Sequence, residues 1–183
     1  KKVWWKCDKG EDHEWYTSPG GRTQDNLGCP FCSHRKVSIT NSLYNKYPKL
    51  AEQWHPTLNG NLTPKKVVGG GLKSVWWKCN KGVDHEWKTT INSRIDQGSG
   101  CPYCSNRYVS VTNSLEAKYP KLAKQWHPKL NGDLTPDKVI AGGKLPIWWK
   151  CNEGDDHEWE MHINSRITQE SGCPYCANRY VSV

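Results

Sequence analysis

Apolar positions along this chain come as short β-type alternations and short helical stripes, in a fixed order that repeats. Trp76-Trp77-Lys78-Cys79 runs into a turn, and Asp84-His85-Glu86-Trp87 returns from it, so the pattern predicts a short β-hairpin. Val3 to Lys6 with His13-Glu14-Trp15 is an earlier copy, and the stretch around Trp148-Trp149 is a later one. Between hairpins the period changes. Leu43, Tyr47, Leu50 and Trp54 lie at helical spacing after the start signal Asn41-Ser42, and Leu115, Tyr119, Leu122 and Trp126 repeat the stripe. Pro48 and Pro120 interrupt it, so each stripe should be two short helical pieces, the second opening on its proline. His55-Pro56 and His127-Pro128 end the stripes, Asn59-Gly60 and Asn131-Gly132 mark turns, and Thr63-Pro64 and Thr135-Pro136 mark a further short element. Gly69-Gly70-Gly71 reads as a flexible joint. The connectors should nevertheless be ordered, because an apolar stripe needs a surface to bury against, and the neighbouring hairpin motif is the nearest.

Every landmark recurs 72 positions on: Trp4, Trp76 and Trp148; Trp15, Trp87 and Trp159; Arg22, Arg94 and Arg166. Such a period marks a tandem array. The expected division is motif 1 at 1–39, connector 1 at 40–72, motif 2 at 73–111, connector 2 at 112–144 and motif 3 at 145–183. One segment breaks the repeat. Ser18-Pro19-Gly20-Gly21 stands where the second copy has Thr90-Ile91-Asn92-Ser93 and the third has His162-Ile163-Asn164-Ser165. Pro and Gly weaken a strand, so the second strand of motif 1 should be shorter or bulged.

Each motif spans only 39 residues, below the size at which apolar burial alone suffices. Phe and Met occur once each, mean hydropathy is −0.87, and eleven Trp with eight Tyr supply the packing. Something must staple these cores. Nine cysteines fall in the spacing Cys-x5-His-x15-Cys-x2-Cys, used three times with none left over. The sets are Cys7, His13, Cys29 and Cys32; Cys79, His85, Cys101 and Cys104; and Cys151, His157, Cys173 and Cys176. An odd total cannot pair fully as disulfides, whereas three thiolates and one imidazole suit tetrahedral Zn²⁺. The Cys-x2-Cys turn aims two sulfurs at one point, and Cys and His flank a tight turn containing Gly10, Gly82 or Gly154. A catalytic zinc keeps an open position; four protein ligands leave none, so three structural zinc ions are expected.

The formal charge is +8, and three Cys3His sites at −1 each, once loaded, bring it to +5. A basic array favours polyanions. No apolar run reaches 18 residues, which excludes a membrane-spanning helix. Thiolate ligands point to a reducing, intracellular compartment. The chain has no signal-like start; it begins inside a repeat and reads as an excerpt of a larger protein. No nucleophile with a base recurs, no phosphate loop is present, and the acidic residues are scattered, so no catalytic role is expected.

The combination of Trp-Trp-Lys-Cys, His-Glu-Trp, Cys-Pro-Tyr-Cys, Asn-Ser-Leu, Tyr-Pro-Lys-Leu-Ala and Gln-Trp-His-Pro resembles the zinc-ribbon, or treble-clef-like, tandem-repeat family, over all 183 residues. The fold class it implies is an array of small zinc-stabilised α+β modules, β-hairpin motifs joined by ordered, partly helical connectors. Its metal ligands fall on the twelve residues named above. Because some family arrays sit beside restriction- or repair-type endonuclease domains, the resemblance implies nucleic-acid binding, with a nuclease or other effector elsewhere in the parent chain. Ser18-Pro19-Gly20-Gly21 is the main departure from the family pattern.

For partner contacts, Arg22, Arg94 and Arg166 recur after the second strand, and Arg35, Arg107 and Arg179 just beyond the second metal turn. Guanidinium forks suit phosphates and guanine edges. The copies diverge just after His-Glu-Trp, where Tyr16 and Ser18, Lys88 and Thr90, and Glu160 and His162 should share a strand face and could tune base preference. One Trp of each adjacent pair should be core and its neighbour turned outward or against the connector. His55 and His127, surplus to the four-ligand sets, read as structural. The favoured function is a monomeric array binding duplex DNA; a protein-interaction scaffold and an RNA or single-strand binder are the alternatives.

Overall fold

The computed structural model describes residues 1–23 and 28–182. It divides into two compact units, one of residues 1–80 with 86–100 and one of residues 81–85 with 101–183. Among the described residues no helix is long and apolar enough to cross a membrane.

The elements are three antiparallel hairpins with short helices between them. The hairpins pair β1 (Val3–Lys6) with β2 (Glu14–Thr17), β3 (Ser74–Lys78) with β4 (Glu86–Thr90), and β5 (Pro146–Lys150) with β6 (Glu158–His162). All three share one register: Trp5 opposes Trp15, Trp77 opposes Trp87, and Trp149 opposes Trp159. Each hairpin is followed by a short helix: α1 (Pro19–Thr23), α4 (Ile91–Ile95) and α7 (Ile163–Thr168). The β2 strand is indeed shorter, four residues against five in β4 and β6. The stretch after it is helical in all three copies, however, not a continued strand. The Thr90 hydroxyl accepts from the Ser93 amide and starts α4, and Ser18 accepts from the Gly21 amide in the same way.

The connectors contain the expected pairs of helical pieces, α2 (Leu43–Lys46) with α3 (Pro48–Ala51) and α5 (Leu115–Lys118) with α6 (Pro120–Ala123). Ser42 and Ser114 cap the first piece of each pair, and proline opens the second, where its missing N–H has no intrahelical partner to lose. The glycine run is not a joint. The Gly69 amide donates to the Asn41 carbonyl (2.8 Å), the Gly71 amide donates to the Val68 carbonyl (3.2 Å), and the Gly71 carbonyl accepts from Asn92 (3.0 Å). Glycine is needed at position 69 because a Cβ there would meet the Tyr47 ring at 2.9 Å, and at position 70 because φ is +99°.

Each connector docks on the hairpin that follows it through an antiparallel β-bridge at the hairpin's outer edge. In the first unit, Trp54 bridges antiparallel to Trp77 on the outer edge of β3. The Lys78 amide donates to the Gln53 carbonyl (2.8 Å), and the His55 amide donates to the Trp76 carbonyl (3.1 Å). The Asn59 side chain then clamps Trp76, accepting from its amide (2.8 Å) and donating to its carbonyl (2.9 Å). His55 Nδ1 accepts from the amides of Thr57 and Leu58, so its proton sits on Nε2, 3.2 Å from Glu86 Oε1. The second unit reproduces this arrangement with Gln125, Trp126, His127 and Asn131 on β5, the His127–Glu158 separation being 3.1 Å. Beneath this edge Trp77 and Trp149 are fully buried, while Trp76 and Trp148 are half-covered by the connector. The spare histidines are therefore structural ties.

The glutamate they face is also held by a lysine. Lys78 lies 2.6 Å from Glu86, and Lys150 lies 2.7 Å from Glu158. The lysine bond first and the histidine bond second lower both carboxyl pKa values. A depressed folded-state value means the tie contributes above the unfolded carboxylate range and is lost as pH falls through the folded one. Both carboxylates are solvent-accessible, so the contribution is modest.

Candidate metal centre

The hairpin turn and the second metal turn bring the four donors of each set together. In all three sets the ligand atoms lie within 4.8 Å of one another, and no cysteine is in a disulfide. The edges of the tetrahedron test the fit. Zn–S bonds of about 2.3 Å and Zn–N of about 2.05 Å place tetrahedral sulfurs roughly 3.8 Å apart and sulfur to nitrogen roughly 3.6 Å apart. The separations are 3.7 Å for Cys7–Cys32 and for Cys151–Cys176. From the histidine Nδ1 the sulfurs of the Cys-x2-Cys turn lie at 3.7 and 3.6 Å in the first set, 3.6 and 3.5 Å in the second, and 3.7 and 3.5 Å in the third. The donor sets fit zinc. Desolvation first, and the adjacent sulfurs next, push the Cys32 thiol up to about 11 and that of Cys176 up to about 12. Only a central cation makes three thiolates at this spacing stable, because a coordinating thiol is deprotonated outright.

The histidine orientation comes from residues that ligand spacing did not single out. His13 Nε2 lies 3.1 Å from Ser38 Oγ and 2.8 Å from Thr40 Oγ1, and His85 Nε2 lies 3.2 Å from Ser110 Oγ and 2.9 Å from Thr112 Oγ1. With the hydroxyls accepting from Nε2–H, the Nδ1 lone pair is left for the metal. Asp12 and Asp84 hold that loop by accepting from the Ile39 and Val111 amides. Asn41 and Asn113, placed in the sequence at the helix starts, also stitch the metal turn. They donate to the carbonyls of Phe31 and Lys36, and of Tyr103 and Tyr108. The ring after the first cysteine of each metal turn stacks on the ligand histidine, with centroids 5.0 to 5.1 Å apart. On its other side the imidazole crosses the turn glycine. A Cβ on Gly82 would lie 2.5 Å from the His85 ring, which is why the hairpin turn carries glycine. Replacing Ser110 by Ala and Thr112 by Val together should lower zinc affinity at the second centre by roughly tenfold or more. Competition with a chromophoric chelator measures this, and unchanged affinity would leave the hydroxyls without an orienting role.

The arginine positions split into two groups. Arg94 lies over Trp77 and Trp87 at 5.0 and 5.1 Å, donates to Gln53 Oε1 and reaches the Ser99 carbonyl at 2.8 Å. Arg166, only 6% exposed, lies over Trp149 and Trp159 and donates to Gln125 Oε1. Burial lowers its pKa, although a guanidinium stays charged in any case. These two arginines are clamps between hairpin and connector, and a guanidinium donor of each is spent there. Arg22 stacks on Trp5 and Trp15 in the same way and is half-buried. Arg35, Arg107 and Arg179 are exposed beside the metal turn.

The strand-face pairs also divide. Tyr16, Lys88 and Glu160 are exposed on the hairpin. Ser18 and Thr90 are engaged as caps, and His162, at the equivalent cap position, has Nδ1 2.6 Å from the Lys144 carbonyl. Thr90 and His162 are the last residues of β4 and β6 and, like Ser18 just past β2, stand where the chain turns into the helix that follows.

Comparison with known proteins agrees with this architecture. Residues 1–35, 50–107 and 122–179 each match the family described as "Probable Treble clef zinc finger domain". The chain is also similar to a protein of Escherichia phage T5 named "Putative endonuclease", at 26% identity over 118 residues. That match covers 63% of this chain and 35% of the phage protein, so it spans about a third of the relative's length.

Proposed function

Because the chain belongs to the treble clef zinc finger family matched above, we propose that it is a non-catalytic zinc-finger array that binds nucleic acid, with duplex DNA as its partner. The observation that carries this is the exposed arginine three residues beyond the last ligand of every module, Arg35, Arg107 and Arg179. Arg35 is braced by Ser33 Oγ and the Gly28 carbonyl, and Arg107 by Ser105 Oγ. An exposed guanidinium repeated in each module, braced in the first two, suits successive phosphates; the third module has Ala177 in place of the bracing serine. The basic balance and the phage relative's name support the same reading. On it, motifs 1–39, 73–111 and 145–183 are the binding modules, connectors 40–72 and 112–144 space them, and an effector such as a nuclease belongs to the rest of the parent protein in a reducing compartment. Tyr16, Lys88 and Glu160 are the positions at which modules would differ in base preference.

Electrophoretic shift of the zinc-loaded chain with duplex DNA, single-stranded DNA and RNA at two salt concentrations tests the partner. Affinity should fall with salt. Replacing Arg35, Arg107 and Arg179 by Gln should flatten the log–log slope by about 0.9 for each phosphate no longer neutralised, with zinc content unchanged. A salt-insensitive interaction, or full retention of affinity in the triple variant, would favour a protein-interaction scaffold instead.

A further inference from the structure

Among the described residues, the edge that connectors occupy on β3 and β5 is open on β1. The registers are identical, so the amide and carbonyl of Trp4 and the amide of Lys6 point outward from the first hairpin, as those of Trp76 and Lys78 do. The side chains around them correspond as well. Trp5 stands where Trp77 receives the edge of Trp54 at 5.9 Å, Arg22 where Arg94 donates to Gln53, and Glu14 where Glu86 faces His55. Glu14 keeps its lysine, Lys6, at 3.0 Å, and its side chain is 52% exposed against 32% for Glu86. Trp4 is 71% exposed, and Trp5 is only half-buried where Trp77 is wholly covered. An edge strand with outward backbone groups, flanked by one exposed and one half-buried indole, is the arrangement that takes an added strand.

We propose that this face is a docking site for one further strand of connector chemistry, Gln-Trp-His-Pro-x-Leu-Asn. Its register is set by the two docked examples in this chain. The Gln carbonyl accepts from Lys6, and the His amide donates to the Trp4 carbonyl. The Asn side chain clamps Trp4, the indole meets Trp5 edge-on, and the imidazole faces Glu14. A strand lacking the Trp or the Asn offers backbone pairing alone. The chain's own two connectors already lie on β3 and β5, so the occupant is an additional connector and not a second copy of this chain. The face is independent of the nucleic-acid reading, because it uses neither the exposed arginines nor the metal turns.

A synthetic peptide of residues 40–72, titrated into the zinc-loaded chain and followed by amide and indole NMR shifts, tests it. Residues 3–6, 14 and 22 should shift together and saturably. Trp54→Ala or Asn59→Ala in the peptide should weaken binding about tenfold or more, as expected of an anchor residue, and Glu14→Ala in the chain should weaken it less. Fusing residues 40–72 ahead of Lys1 should protect the Trp4 and Lys6 amides from exchange to the extent that Trp76 and Lys78 are protected. An unshifted β1 with the peptide, together with unprotected amides in the fusion, would overturn the proposal. So would self-association of the chain through Trp4, or equal affinity for the wild-type and Trp54→Ala peptides.

Discussion

Replacing Cys101 by serine should remove one of three zinc ions and unfold the second metal turn while leaving the others loaded. The serine hydroxyl is a poor ligand, and the remaining donors, Cys79, His85 and Cys104, would leave the ion three-coordinate. The effect is large because the metal turn buries little of its own: within residues 101–108 only Cys101 and Pro102 are buried. Among the described residues, the apolar cluster buried at the first centre, which has no docked connector, is Trp15, Cys29 and Phe31, with Trp5 and Cys7 partly packed against it. Structural zinc contributes about 10–16 kcal/mol in small zinc peptides, well beyond what such a cluster supplies. Elemental analysis should read three ions falling to two, and chelation of the wild type should abolish the near-ultraviolet signal of the tryptophans. Because the ligands must shed protons to bind, the metal should also be lost on acidification. A wild type carrying one ion or none under reducing conditions would remove the basis of the architecture.

Trp149→Ala should cost about 3–5 kcal/mol of local stability in the second unit, the usual range for emptying a fully buried indole site. The ring is inaccessible to solvent and packs among Leu115, Val139, Ile147, Trp159 and Ile163. Its Nε1–H donates to the Met161 carbonyl at 2.9 Å, and Trp126 meets it edge-on at 6.0 Å. Truncation therefore opens a cavity, removes the indole bond to the Met161 carbonyl and frees the connector strand together. Hydrogen exchange at the Lys150 and His127 amides, which bond across that edge, reports the loss directly. Trp4→Ala is the matched control: its ring is mostly exposed, and the change should stay within about 0.5 kcal/mol. Equal effects of the two substitutions would mean that the connectors do not depend on the buried indole.

The ligand sets, the hairpins and the two-piece connector helices were legible in the sequence for a common reason. Each rests on a short-range rule: donor spacing for a tetrahedral ion, glycine beneath a ligand ring, proline at the first turn of a helix, serine ahead of it. Even the pairing of a core indole with an outward neighbour follows from strand alternation. The repeat of 72 residues multiplies these local signals without adding a new one.

What the tertiary structure decided is where the polar side chains spend their hydrogen bonds. Arg94 and Arg166 have the same spacing and chemistry as Arg107 and Arg179, and nothing local separates them. They differ because a connector glutamine 41 residues earlier meets the first pair and not the second. Thr90 follows the strand alternation on paper yet caps a helix, since Ile91 and Ile163 are drawn into the cores beneath the hairpins and turn the chain there. The glycine run looks like a hinge and is fixed by backbone bonds to Asn41 and Asn92, both remote in sequence. Sequence determined the metal chemistry and the local elements, because propensity and ligand geometry act over a few residues. Only the fold could assign each exposed or buried charge, because desolvation and pairing depend on which distant segment arrives beside it.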